Sequence, residues 1–303
     1  MVARRTMLGL LAAGPGLPRA RAQPPAQPAT WPVRPVRLIV PYPPGGGADT
    51  VARLFVPVLN EMPGAPLLVI DNRGGAGGNI GAELLARAAP DGATLGTISI
   101  GTHGTNPAMF ARQGFDPIAD FTPVALISLQ PVAFAVMADS PIRNLADLLA
   151  SRRDLTFGSS GNGTSGHLAG EVLRAHAGLA LTHVPYRGAG PAWADLMAGR
   201  VDIAVDNNHV ALPHHRGGRV RIIALTGRTR SPLLPEVPLL LEQLRETVVY
   251  SWNSIAGPAG LPAPLVGQLV GAIHAAWQRP DLRTRYAELG IEAPADSTPA
   301  SFR

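Results

Sequence analysis

The 303 residues are 46% hydrophobic and 16% charged, too apolar for a disordered chain and long enough for two cores. Most of the formal charge of +5 belongs to residues 1–22, which hold Arg4, Arg5, Arg19 and Arg21 and no acid; the remainder carries 22 basic against 21 acidic residues, which removes the compositional case for nucleic-acid binding. All 26 basic residues are arginine, excluding Schiff-base and P-loop lysine chemistry, and the lack of cysteine excludes disulfides, thiol catalysis and a lipoprotein anchor.

Arg4 and Arg5 precede a weakly apolar run over 7–17, and Ala20-Arg21-Ala22 is a small-x-small cleavage pattern before Gln23. Residues 1–22 therefore read as an export signal, with the twin-arginine route open beside the general one, and the expected location is the periplasm. No span is expected, because a bilayer needs about 20 apolar residues and this run is shorter and broken by Pro15. Residues 23–30, rich in Pro, Ala and Gln, form a flexible lead-in.

The first strand is predicted over 36–40, followed by a glycine loop and a helix in which Val51, Leu54, Phe55, Val58 and Leu59 recur at helical spacing. Asp49 is its expected N-cap, and Pro57 predicts a kink or an early end. A strand over 67–70, a helix over 80–89 and a strand over 95–100 follow. The alternation continues with strands at 131–137, 155–158, 181–184, 201–205 and 221–225, and with helices at 145–151, 165–177 and 191–198. An apolar run over 247–255 leads to a last helix over 265–277. Strands alternating with helices predict a parallel sheet covered on both faces.

Two glycine-rich junctions, Tyr42 to Asp49 and Ser159 to His167, look built to hold one small anion. Each puts backbone N–H groups at a helix start, where the macrodipole favours negative charge, and the glycines allow close approach. The second adds hydroxyls at Ser159, Ser160, Thr164 and Ser165, and His167 is expected to donate a hydrogen bond to the loop or the ligand. Ser99 and His103 follow a strand, where open α/β sheets bind ligands, and Ser128 and Asp206 are further wall candidates. A third glycine junction, Arg73 to Gly81, reads as structural, and Arg187 is open to pairing with an acidic ligand.

Catalytic patterns fail on spacing. Neither Gly158-Ser159-Ser160-Gly161-Asn162 nor Gly163-Thr164-Ser165-Gly166-His167 is a nucleophile elbow, and the eight histidines show no metal-ligand spacing. No metal or cofactor is expected.

The chain resembles the Bug-type periplasmic solute-binding receptors of tripartite tricarboxylate transporters. The resemblance rests on motifs in order: Pro41-Tyr42-Pro43-Pro44-Gly45-Gly46-Gly47-Ala48-Asp49, Asp71 to Gly81, Pro90-Asp91-Gly92-Ala93-Thr94-Leu95, Asp120-Phe121-Thr122-Pro123-Val124, Ser159 to His167, His183 to Gly188, and Arg230 to Pro238. It implies an α/β, two-lobed periplasmic-binding-protein clamshell of the type II, Venus flytrap kind. Lobe 1 would comprise 31–124 plus 249–303 and lobe 2 125–248. A ligand carboxylate would be held by backbone and hydroxyl groups of the two glycine loops, with ordered waters. The implied partners are a small organic carboxylate and membrane permease subunits, with the receptor a monomer. The ligand-binding expectation is Tyr42, Gly45, Gly46, Asp49, Ser99, His103, Ser128, Ser159, Ser160, Thr164, His167 and Asp206. The alternatives are a ligand sensor for a signalling partner and an exported enzyme using His103 or His167 as a base. Three departures stand out: Asn253 sits where the family more often has an aromatic residue, Pro57 interrupts the first helix, and Ser297-Thr298-Pro299 starts a helix with four residues left. The resemblance thus implies a missing terminal helix and exposed apolar surface on lobe 1.

Overall fold

In the computed structural model, residues 35–294 and 297–299 are described; the expected export signal and lead-in and the residues after 299 lie outside them. The chain begins with three parallel strands, β1 (Val36–Val40), β2 (Leu68–Asn72) and β3 (Thr94–Ser99), with β1 central. They are joined by α1 (Gly47–Asn60) and α2 (Asn79–Ala86). Val51, Phe55, Val58 and Leu59 form the buried stripe of α1, as their spacing requires. Pro57 does not end the helix, which runs on to Asn60, and it stands on the exposed face, where a carbonyl left without an N–H partner can bond water instead. The Asn60 side chain then bonds both backbone groups of Leu68, tying α1 to β2.

A strand of 17 residues, β4 (Phe121–Met137), joins two halves of the sheet. Its first part pairs antiparallel with β9 (Tyr250–Pro258), which also pairs with β3. From Val132 onward it pairs instead with β7 (Ile203–Asn207) and β8 (Val220–Leu225). Only 131–137 was expected as strand. The earlier part escapes pattern reading because Pro123 and Pro131 lie within it and two register shifts break its alternation.

The second half adds α4 (Leu145–Ala150), β5 (Leu155–Ser159), α5 (Ser165–Ala177), β6 (Leu181–Pro185) and α6 (Ala189–Met197), with β5 parallel to both β6 and β7. Here α3 is the short Asn106–Met109 turn after β3. Besides the short α3, two helices were not expected: α7 (Asn208–Arg216) and α9 (Pro280–Leu289), which follow β7 and α8 (Ala263–Trp277). Pro213 and a histidine-rich end hide the short α7, and α9 buries only Leu282 and Tyr286.

The core follows the sheet. Leu38, Phe55, Leu59, Ile127, Leu269, Ile273, Trp277 and Tyr286 pack on one face of the β1–β3–β9–β4 half. In the other half, Phe134, Phe157, Leu173 and Ile203 fill one face and Trp193, Ala204, Leu212 and Ile222 the opposite one. Each large apolar side chain removed from water contributes about 1.5–3 kcal/mol, so both halves hold their strand ends rigidly. Among the described residues no helix is long and apolar enough to cross a membrane.

Candidate functional site

Strand ends from both halves converge on one cavity. Tyr42, Gly46 and Gly47 enter it after β1, and Ser99, Ile100 and Gly101 at the end of β3. Opposite them stand Ser160, Thr164 and Ser165 after β5, with Asp206 and Asn207 at the end of β7. Gly188 and Ala189 after β6, and Ser251 and Asn253 from β9, complete the wall. The space open to the centre of a water molecule is about 50 Å³. A water takes about 10–15 Å³ on that measure, so the site fits a few waters or a small acid, not a polymer.

The loop after β1 is built from the inside out. Gly45 has φ of +79°, a conformation open to glycine at no steric cost, and its N–H donates to Asp49 Oδ2 at 2.9 Å. Arg53 donates to the same oxygen at 2.9 Å and Asn72 to Oδ1 at 2.9 Å. Burial raises the Asp49 pKa, but the bonds from Arg53, Gly45 and Asn72 outweigh it and the net direction is down. Asp49 is thus not the N-cap, which is Gly46 with no side-chain cap; it sits in the first turn and holds the loop from behind. Neither Gly45 nor Asp49 lines the cavity. Tyr42 OH lies 2.8 Å from Ser99 Oγ, and burial pushes the phenol up to about 12, so it stays a neutral donor.

The loop after β5 is fixed by its own side chains. Thr164 caps α5, with Oγ1 accepting from His167 N at 3.4 Å and donating to Gly161 O at 2.7 Å. The expected donor role of His167 is reversed: its Nδ1 accepts from the Gly163 N–H at 3.1 Å, because the first turn folds the ring back under the loop. The ring stacks on His183 with centroids 4.0 Å apart, and His183 Nε2 meets Ser159 Oγ at 2.7 Å. Burial lowers the pKa of both rings, His183 to about 4, so both are neutral at ordinary pH. Ser159 and His167 therefore sit behind the loop, away from the cavity wall.

Two further candidates lie elsewhere. Ser128 is fully buried inside β4 and accepts from Asn253 Nδ2 at 3.0 Å. His103 turns away because Gly101–Thr105 forms one wide turn, closed by the Asn106 N–H on Gly101 O. Its ring lies edge-on to Phe121 at 4.5 Å in a separate apolar groove of about 930 Å³ with Ile98 and Trp252, and burial lowers its pKa to about 4. Arg187 is exposed and does not line the cavity. Among the described residues no group of three or more His, Asp or Glu is placed to hold a metal.

Six expected residues do surround the cavity: Tyr42, Gly46, Ser99, Ser160, Thr164 and Asp206. Sequence reasoning missed Asn207, Ser251 and Asn253 as wall residues. The polar pair Asn207-Asn208 directly after an apolar strand was the signal for the first; β9 gave none, since its wall residues depend on an antiparallel pairing. The two sides touch. His209 Nε2 meets Gly47 O at 3.2 Å, Thr105 Oγ1 donates to Gly163 O, and a Cβ on Gly47 would lie 2.1 Å from Asn207 Nδ2.

The family model described as tripartite tricarboxylate transporter family receptor matches residues 51–300. A protein in the tcbD-tcbE intergenic region of Pseudomonas sp. strain P51 is 38% identical over 86% of this chain and 79% of its own length. Among solved structures, MatC from Rhodopseudomonas palustris with bound malate is 34% identical, with TM-score 0.83, over 90% of this chain and 95% of that one. A second R. palustris protein, solved with adipate, is also 34% identical, with TM-score 0.85, over 90% and 92%. The fold is the two-lobed α/β fold of periplasmic binding proteins, with a cleft between the lobes.

Proposed function

Because the chain belongs to the tripartite tricarboxylate transporter receptor family, we propose that it captures a small carboxylate-bearing solute outside the cytoplasm and delivers it to the membrane permease subunits of such a transporter. The observation that carries this reading is the meeting of two helix starts, those of α1 and α5, on one small cavity lined by neutral polar groups, one acid, Asp206, and no cationic side chain. Each helix start favours an anion by about 0.3–1 kcal/mol at low ionic strength, and hydroxyls and ordered waters add hydrogen bonds. The bound malate and adipate of the two solved relatives are carboxylates, which supports the same class here.

In this reading Tyr42, Gly46, Ser99, Ser160 and Thr164 face the ligand, while Gly45, Asp49, Ser159 and His167 hold the two loops in shape. Lobe 1 (31–124 plus 249–303) closes on lobe 2 (125–248) about the crossing strands, and the closed surface is what the membrane partner reads. The export signal at 1–22 delivers the chain, as a monomer, to the periplasm. It is read as a receptor and not an enzyme: the Ser159–His183 pair is sealed behind the loop, Ser159 being 1% exposed, so this histidine-paired serine does not face the cavity.

The test is a thermal-shift and calorimetric screen of small carboxylic acids against the wild type and Gly46→Trp. A ligand at a hundred times its dissociation constant stabilises by about 2.7 kcal/mol. Gly46 has φ of −82° and only Pro43 O near its open Cβ position, so an indole there fills the cavity without straining the backbone. A wild type that melts identically with every acid, or a Gly46→Trp protein that binds as the wild type does, overturns the reading.

A further inference from the structure

Asp206 is the one charged side chain among the described residues that line the cavity, and it carries the same sign as the ligand class proposed above. It is 6% exposed at the end of β7. Oδ2 accepts from Trp193 Nε1 at 3.1 Å and from Ser160 Oγ at 3.3 Å, and Oδ1 accepts from the Asn207 N–H at 2.8 Å. A carboxylate has about four acceptor positions, so three donors leave one open on a residue that lines the cavity.

None of the three donors is cationic. The titratable and charged groups on neighbouring elements do not supply the missing charge. On α7, His209 is lowered to about 4 and His214 is also lowered, both by burial first, and His214 stacks on Trp193. On α6, Asp195 is paired with Arg200 at 2.9 Å; on α5, Glu171 is paired with Arg174 and His167 is lowered, as is His183 on β6. Burial accordingly pushes the Asp206 carboxyl up to about 6. Burying a charge without a counter-charge is costly unless a partner arrives.

We propose that the ligand supplies this partner: Asp206 selects, among small acids, those that carry an ammonium group beside the carboxylate held by the glycine loops, as a zwitterionic amino acid does. The inference rests on the carboxylate-receptor reading and adds the second pole of the ligand. An ammonium on the open acceptor position makes a charge-assisted bond, a hydroxyl a weaker one, and a bare methylene none while leaving a second anion beside the first. The same geometry disfavours a dicarboxylate whose second carboxylate reaches Asp206.

The test compares succinate, L-malate and L-aspartate, which share a four-carbon dicarboxylate skeleton and carry hydrogen, hydroxyl and ammonium at one carbon. Titration calorimetry on the full wild-type chain is expected to rank aspartate above malate above succinate, with the aspartate-to-succinate ratio about tenfold to a hundredfold, the size of a charged hydrogen bond. Asp206→Asn, near in shape and neutral, is expected to bring the three within about threefold of one another. A wild type that prefers succinate, or binds the three alike, overturns the Asp206 assignment and leaves the receptor reading standing. Binding of none of the three, with binding of no other acid, overturns both. A ratio unchanged in Asp206→Asn also overturns the assignment, and the wild-type ranking remains decisive if that variant does not fold.

Discussion

At the residue scale, Asp206 also has a consequence for stability that needs no ligand. Its folded pKa of about 6 stands above the usual carboxylate value of 3.8, so the folded state holds the proton more tightly than the unfolded chain does. The sign follows: stability is greatest below the unfolded value, falls as pH rises from about 4 to about 6, and is flat above. The displacement corresponds to about 3 kcal/mol. Asp206→Asn removes this slope, although its amide cannot accept from all three present donors. The expected outcome is a difference in melting between variant and wild type that moves in the variant's favour from pH 4 to pH 7, read by circular dichroism. Parallel pH profiles for the two proteins would show that Asp206 is not held as a buried, uncompensated acid. The position of Asp206 on the wall was legible because it ends an apolar strand, whereas His103 and Ser128 were misplaced on the same logic. The wide turn at Gly101–Thr105 rotates one side chain away, and β4 continues through Ser128 where a strand end was expected.

At the scale of elements, the two glycine junctions owe their shape to different devices, and the difference is testable. The first is held by Asp49 with Gly45, Arg53 and Asn72, the second by Thr164 with Gly161 and His167. Loss of an N-cap hydroxyl costs about 1 kcal/mol, so Thr164→Ala is expected to lower the urea midpoint by that equivalent and to weaken ligand binding as well. Thr164→Ser, which keeps the oxygen, is expected to retain both. An alanine variant that loses stability but binds normally would separate the cap from the site. The β–α units were readable because short apolar runs end in glycine loops. The first part of β4 was not, because its prolines and register shifts erase the period on which such reading depends. Short α7 offers Pro213 and histidines where a longer amphipathic stripe would have declared a helix.

At the scale of the whole molecule, the two sides of the cleft touch, and that contact depends on the absence of a side chain at Gly47. Gly47 begins α1 on one side, and Asn207 and His209 stand directly opposite. A Cβ on Gly47 would lie 2.1 Å from Asn207 Nδ2 and 3.3 Å from the His209 ring, while Asn207 Oδ1 is already engaged by Ser165 at 3.0 Å. Alanine therefore pushes the Asn207 amide off Ser165, and a leucine leaves the two sides no room to meet. Both lobes keep their own cores, since the clash lies outside the clusters around Phe55 and Phe157. Gly47→Leu is thus expected to melt close to the wild type without ligand, to scatter X-rays as a more open particle, and not to compact on adding ligand. Its affinity should fall by roughly a hundredfold, because only the open form is available and the second loop no longer reaches the carboxylate. A Gly47→Leu protein that still compacts on adding acid would mean that the Gly47–Asn207 contact is incidental to closing, and that the hinge brings the loops together along another line.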